Sequence, residues 1–542
     1  MSPARLLAIL ILLWSARADP DDGVSFRGSL HLSLRSDRNV PDETVRYDPA
    51  ANELTFASYL APGPQDSFGS LLASMTLVGR ALDGDLLGVL TADTGEVRRE
   101  RLHVVGQVCW SERTPSGLAV PGSGLCDLYR LSTQTYGRVI VPVEETTLES
   151  QPQVTSNGQP FKQEVDETLL LREAYVRYRF GHAGFASIAV GSERRVVADG
   201  YVHDDYGWGV RLSADLGALG PPMDLSASLF LPTRDLPRAS NLSAPMVLVT
   251  ADFLPSLYDR AGLFFAGLRE NGDNLSGASQ GALEERLVQV ADASAPGMPA
   301  YRRASQVLAA FSQAPFSGEG TVGWLGTSGR VRVGRNQWIS WTAALEGGQI
   351  DKVTAGQNPV VLAERISLEG ELVALHYQAD LTRGLGARAS FLYLSGDELP
   401  RARLDATGIV PATGTYRTFL GVSPYLTETN IFFDGGLSES YADREARPPG
   451  VNGRGVISPG LSLRWTPADA LSLGAKGAWL RAVTEGPFGG LVYGTELDSD
   501  LTFEATGWLS LGVEADVLFP GDFFPSRKPI TRGILALDLM TP

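Results

Sequence analysis

The sequence predicts an all-β protein, a single antiparallel transmembrane β-barrel of about eighteen strands, with about sixteen as the alternative count. Three observations predict it. Apolar and polar residues alternate with a period of two as far as the C-terminus, the alternating runs reach about ten residues or more, and the connections between runs are by turns short and long. Beyond the N-terminal stretch no segment is apolar for long enough to be a transmembrane helix, an absence that a barrel shares with a soluble exported protein.

Two hairpins near the C-terminus carry the alternation best. Leu461, Leu463 and Trp465 share a face, with Ser462 and Arg464 opposite. A tight turn is expected at Thr466-Pro467-Ala468-Asp469, after which Leu471, Leu473, Ala475 and Trp479 resume the apolar face against Ser472, Gly474 and Lys476. In the next pair Leu497, Leu501 and Phe503 alternate with Glu496, Asp498, Asp500 and Glu504, and Leu509, Leu511, Val513, Ala515, Val517 and Phe519 alternate with Ser510, Gly512, Glu514 and Asp516. A sandwich also alternates, but its strands are commonly shorter, and rows of carboxylates suit a barrel with a wet lumen.

The same pattern places strands at 24–36, 70–81, 84–93, 168–180, 184–194, 206–217, 221–232, 245–254 and 258–269, then at 319–325, 330–348, 363–380, 384–395, 453–465, 470–482, 492–504, 508–519 and 531–540. Short connections are expected at Leu82-Asp83, Gly181-His182-Ala183, Gly326 to Gly329 and Leu381-Thr382-Arg383, and long ones at 37–69, 94–167, 270–318 and 396–452. Short periplasmic turns and long extracellular loops produce that asymmetry, with both termini periplasmic. Trp208, Trp465, Trp479, Trp508 and Phe519 lie near strand ends, as interfacial girdles do.

Residues 1–18 read as a cleaved signal peptide: Arg5, an apolar run from Leu6 to Trp14 too short to span, then Ala16-Arg17-Ala18. The barrel domain is then 19–542, in the bacterial outer membrane, with membrane lipid as its first partner. The net charge of -16 argues against nucleic acid, which needs clustered Lys and Arg. The two cysteines, Cys109 and Cys126, are expected to form a disulfide stapling the extracellular loop 94–167. Within 270–318, Leu283, Leu287 and Val290, and again Val307, Leu308 and Phe311, recur at helical spacing, so a partly helical loop is expected there, external or folded inward.

Lumen chemistry follows from the polar face. Arg27, His31 and Arg35 lie on that face of the first strand, Arg177, Arg179, Arg211, Arg330 and Arg332 on strands four, six and eleven, and Arg388, Arg464 and Lys476 later. Acidic residues cluster at Glu496, Asp498, Asp500, Glu504, Glu514, Asp516 and Asp538. Closure should bring that arc to Arg27 and Arg35, giving either a transverse field across a constriction or ion pairs bracing the wall. No catalytic, cofactor or metal residues are assigned: the sequence has no His-Glu-x-x-His and no phosphate loop. His203-Asp204-Asp205 reads as a solvated turn in an extracellular loop, with a calcium site as the alternative.

Certain segments resemble the alginate-export family of outer-membrane barrels and related porin-like proteins. They are Leu171-Arg172-Glu173-Ala174-Tyr175-Val176 with Ile188-Ala189-Val190-Gly191 and Asp204-Asp205-Tyr206-Gly207-Trp208-Gly209-Val210, the hairpin from Gly494-Thr495-Glu496-Leu497-Asp498 to Phe519-Pro520-Gly521-Asp522-Phe523-Phe524, and Leu394-Ser395-Gly396-Asp397-Glu398. Two departures stand out: Ser192 and Glu193, rather than Arg, follow Gly191, and the chain ends Leu539-Met540-Thr541-Pro542 without a terminal aromatic. The resemblance implies a non-enzymatic channel for polysaccharide or small polar solutes, with periplasmic export machinery as a candidate partner. The alternatives are a non-conducting structural or adhesive surface barrel and a lipid-modifying barrel enzyme.

Overall fold

A sheet with one apolar face still exposes unpaired N–H and C=O groups at its edges, and in hydrocarbon no water satisfies them, so the sheet has to close on itself. The computed structural model shows that closure. It describes residues 23–39, 45–48, 53–56, 63–101, 108–109, 126–127, 161–164, 169–181, 185–220, 222–232, 244–256, 258–272, 317–355, 360–397, 403–405, 408–410, 412–422, 426, 428–433, 436–438, 453–486, 489–524 and 527–541. The expected signal peptide and most of the expected helical loop lie outside the described residues.

Eighteen antiparallel strands form the wall. They are β1 (Gly23–Asn39), β2 (Gly63–Ala81), β3 (Leu86–Arg101), β4 (Leu169–Phe180), β5 (Ala186–Val197), β6 (His203–Asp215), β7 (Met223–Pro232), β8 (Met246–Phe253) and β9 (Arg260–Gly272), followed by β10 (Ser317–Gly334), β11 (Gln337–Ala355), β12 (Val360–Thr382), β13 (Leu385–Leu394), β14 (Val456–Ala468), β15 (Leu471–Arg481), β16 (Val492–Thr506), β17 (Leu509–Pro520) and β18 (Ile530–Met540). Each pairs with the next, and β18 pairs with β1 through Ser29↔Met540 to Arg38↔Thr531. The connections 40–62, 102–168, 273–316 and 395–455 all begin and end at one rim, and every connection on the other rim is short.

The structure moves several boundaries. The expected turn at Gly326 to Gly329 is mid-strand in β10, and the chain reverses instead at Arg335–Asn336. Those glycines serve close packing: a Cβ on Gly326 would meet the Phe264 ring, and one on Gly329 the Trp341 ring. Arg330 and Arg332 therefore belong to β10, the tenth strand, and not to the eleventh. The turn expected at Thr466 to Asp469 falls later, because β14 continues to Ala468 past an irregularity after Trp465. The strand expected at 84–93 runs on to Arg101, where Phe161–Glu164 pairs with it, so the connection to β4 begins later than 94.

Outward positions obey one rule all round the wall. Leu34, Val176, Leu212, Leu263, Leu345, Leu461, Leu497 and Leu535 stand exposed on the face that hydrocarbon would cover. Outward aromatics sit near the short turns at Trp465, Phe503 and Trp508 and toward the long rim at Trp479 and Phe519, bracketing an apolar band. The hydrophobic core lies inside the long-rim half of the lumen. There the inward residues of β7 to β13, among them Phe230, Met246, Phe264, Trp324, Ile366 and Leu392, are buried against the chain that follows β13.

Candidate functional site in the lumen

The inward-folded chain is built from the residues after β13. The short strand Ala412–Tyr416 pairs in parallel with 363–368 of β12, and the chain then turns into the lumen. Tyr416, Phe419, Leu420 and Val422 are buried, and the Trp324 indole donates to the Leu420 carbonyl at 3.0 Å. The Leu420 N–H donates to Glu346 at 2.6 Å, and the Val422 N–H to Val202 O at 2.8 Å. Val202 belongs to the turn 198–202 between β5 and β6, which also folds inward, its Asp199 accepting from Thr342 of β11. Tyr201 in that turn donates to Glu428. Burial first, and then the Glu428 carboxylate, raise the Tyr201 hydroxyl well above its ordinary range, so it stays a donor.

Further along, the segment meets a charged wall. One rung of the sheet runs through Lys476, Asp498, Asp516, Arg532 and Asp37, on β15 to β18 and β1. Glu496 and Glu514 flank it, and all of its carboxylates are buried. The wall carboxylates accept from the segment's backbone: Asn430 and Phe432 donate to Glu496 at 2.9 and 3.0 Å, as does Ile431, and Leu437 donates to Glu514. Asn430 is the hub. Its amide donates to Asp516 at 3.1 Å, its side-chain oxygen accepts from Lys476 at 2.8 Å, and its carbonyl accepts from Arg532. Gly436 has φ +89, and a Cβ there would collide with the Glu514 carboxylate, so close docking and backbone conformation both require glycine.

A second charged wall stands well round the barrel from the first. Arg177 and Arg211 lie on one rung either side of the small Ala189. Arg211 pairs with Glu193 at 3.0 Å, and the same carboxylate takes Arg195 at 2.7 Å. Arg195 and Arg211 share the Glu193 carboxylate, and Arg177 stands one strand away on the same rung as Arg211.

The other expected lumen residues scatter, most of them toward the short-turn rim and His31 and Arg35 farther up β1. His31 contacts Asp538 at 2.6 Å. Arg35 pairs with Asp37, which also takes Arg532 at 3.2 Å. Arg388 binds His376, and Arg464 reaches Asp500 at 3.6 Å. Arg332 lies over the Tyr258 ring and Arg330 over Trp338. Arg179 is exposed. The expected meeting of Arg27 with the acidic arc is not found: β18 ends its pairing at Ser29, so Arg27 extends past it beside Thr76 and makes no ion pair among the described residues. Nor is His203-Asp204-Asp205 a solvated turn. These residues open β6 and are buried, and Asp204 takes Arg194 Nε and one Nη at 2.6 and 2.8 Å. Cys109 and Cys126 stand directly opposite in a two-stranded ladder. Among the described residues no three His, Cys, Asp or Glu side chains converge to hold a metal.

Sequence reasoning missed Asn430, Trp324 and Glu346. The signal for the apolar sector was present: Met246-Val247-Leu248-Val249 and Leu263-Phe264-Phe265-Ala266 are apolar on both faces, which a wet lumen does not ask for. Nothing in the sequence around Asn430 marks it.

No protein-family model matches the chain, and no curated protein does. Among solved structures, the chain is similar to a BenF-like porin from Pseudomonas fluorescens Pf-5, at 10% identity and a TM-score of 0.45, covering 96% of this chain and 98% of that one. It is also similar to Acinetobacter baumannii OccAB2, at 9% identity and 0.44 over 95% and 97% of the two chains, and to Pseudomonas aeruginosa OccK7 (OpdD), at 10% and 0.43 over 95% and 99%.

Proposed function

We propose that this chain is a porin-like channel of the bacterial outer membrane that passes polar or charged solutes. The observation that carries it is a closed barrel, apolar outside all round, whose inner face sets the arginine wall of Arg177 and Arg211 against the carboxylates of β16 and β17. A solute crossing beside the arginines meets a field whose opposite pole, the carboxylates, lies behind the inward segment's tip, and that field orients dipoles and sorts charges. The inward segment narrows the path, which favours small solutes over an extended polysaccharide; the alginate-export resemblance keeps the polymer as the finer alternative. The same reading has a cleaved signal peptide, short turns in the periplasm and a Cys109–Cys126 disulfide, so the native protein should show no free thiol until reduced.

Full-length protein refolded into planar bilayers tests the channel. Discrete conductance steps are expected. A folded, inserted barrel with no steps at any applied potential would instead mean a non-conducting surface barrel. Anionic oligosaccharide that produces transient blockades from one side would bring back the polymer.

A further inference from the structure

We propose that the tip of the inward segment, residues 428–433 and 436–438, is a latch that lifts from the acidic wall while its root at 416–422 stays fixed. The proposal rests on the channel reading for what lifting would change, and on the contacts themselves for the motion.

Root and tip are held by different forces. The root packs Tyr416, Phe419 and Leu420, each about one per cent exposed, against Trp324, Leu368 and Ile366 of the wall. Lifting it would return that apolar surface to water and strand the Trp324 indole and the Glu346 carboxylate. The tip also buries Ile431 and Phe433 in the apolar cluster, but it adds what the root lacks, a polar face bonded to Glu496, Asp498, Glu514 and Asp516 and to Lys476 and Arg532 through Asn430.

The docked tip is also incompletely satisfied. Four carboxylates crowd where Lys476 and Arg532 supply the positive charge, with Arg532 shared with Asp37. Asp498 Oδ1, Glu514 Oε1 and Asp516 Oδ2 are buried without a hydrogen-bond partner, and so are Thr429 Oγ1 and Glu428 Oε2 on the tip. Each such atom costs free energy in the docked state that water would return on lifting. Strong charge-assisted bonds set against that cost bring docked and lifted states close together, which is the condition for two populated conformations. Gly436 lets the chain settle on Glu514 without a side chain between them. The Phe432, Phe433, Tyr493 and Phe523 ring cluster guides return, since Phe432 lies 4.8 Å from Tyr493 and 5.0 Å from Phe433.

Thiol labelling of the full chain in liposomes tests the latch without relying on conduction. The reporters are Phe433→Cys on the tip and Leu420→Cys on the root, with the parent chain's own labelling subtracted. Neutralising the wall with Glu496→Gln and Glu514→Gln removes the charge from bonds made to four backbone N–H groups. Phe433→Cys should then label about tenfold faster, and Leu420→Cys at its unchanged slow rate. Glu496→Gln alone, the milder change should the pair not fold, should give about threefold. Unchanged labelling at Phe433→Cys overturns the latch, and equal acceleration at Leu420→Cys overturns the fixed root. Labelling as expected in a barrel that never conducts supports the latch and overturns the channel reading.

Discussion

The inner wall from β7 to β13 and the inner wall from β15 through β18 to β1 share an outer face but not an inner one. Outside, both present leucine and valine at alternate positions, Leu345 in the first sector and Leu497 in the second. Inside, the first presents Met246, Phe264 and Trp324, and the second Lys476, Asp498, Asp516 and Arg532. The difference teaches what each face answers to. Lipid is the same all round the barrel, so the outer face has one solution. The inner face answers to whatever chain lies against it: an apolar root in one sector, and in the other the backbone N–H groups and Asn430 of the tip.

The comparison is broken most severely at Trp324. It is fully buried, and its indole fixes the Leu420 carbonyl. Trp324→Ala leaves a cavity and an unsatisfied carbonyl, and should cost about 3–5 kcal/mol, read as a lower urea midpoint of the folded barrel. An unchanged midpoint would mean that the apolar sector contributes packing the barrel does not need.

The outer face should show no such contrast. Leu345→Arg and Leu497→Arg each place a charge where hydrocarbon would lie, at about 2–4 kcal/mol near the midplane. Refolding titrations should return similar losses for the two. A large loss for one and none for the other would show that the outer face is not uniformly lipid-covered.

Much of this was legible in the sequence, for a physical reason. Alternation of Leu497, Leu501 and Phe503 with Glu496, Asp498 and Asp500 fixes inside and outside, because a one-residue slip would put each carboxylate in lipid. That register survives in β16 and β17 as read. Strand ends were less legible: the glycines at 326 and 329 looked like a turn because sequence cannot distinguish a glycine that bends from one that makes room for Phe264 or Trp341. The inward segment was illegible, since the partners of Asn430 lie on four strands beginning more than forty residues away.

The smallest expected effects separate two arginines that alternation alone treats alike. Arg27 and Arg211 both occupy inward positions flanked by outward apolar neighbours. Closure geometry distinguishes them. Arg211 is half-buried on the inner wall, paired with Glu193 and on one rung with Arg177, and so contributes to the field inside the lumen. Arg27 lies beyond the last paired residue of β18, exposed and without an ion pair among the described residues. Water screens a charge in that position. Arg211→Glu should therefore shift the reversal potential under a salt gradient toward cations, and Arg27→Glu should shift it less, with both variants folding. A larger shift from Arg27→Glu would place the selective constriction beside Arg27 and not beside the Arg177–Arg211 rung. No shift from either, with conductance intact, would mean that ions pass along a path these side chains do not line.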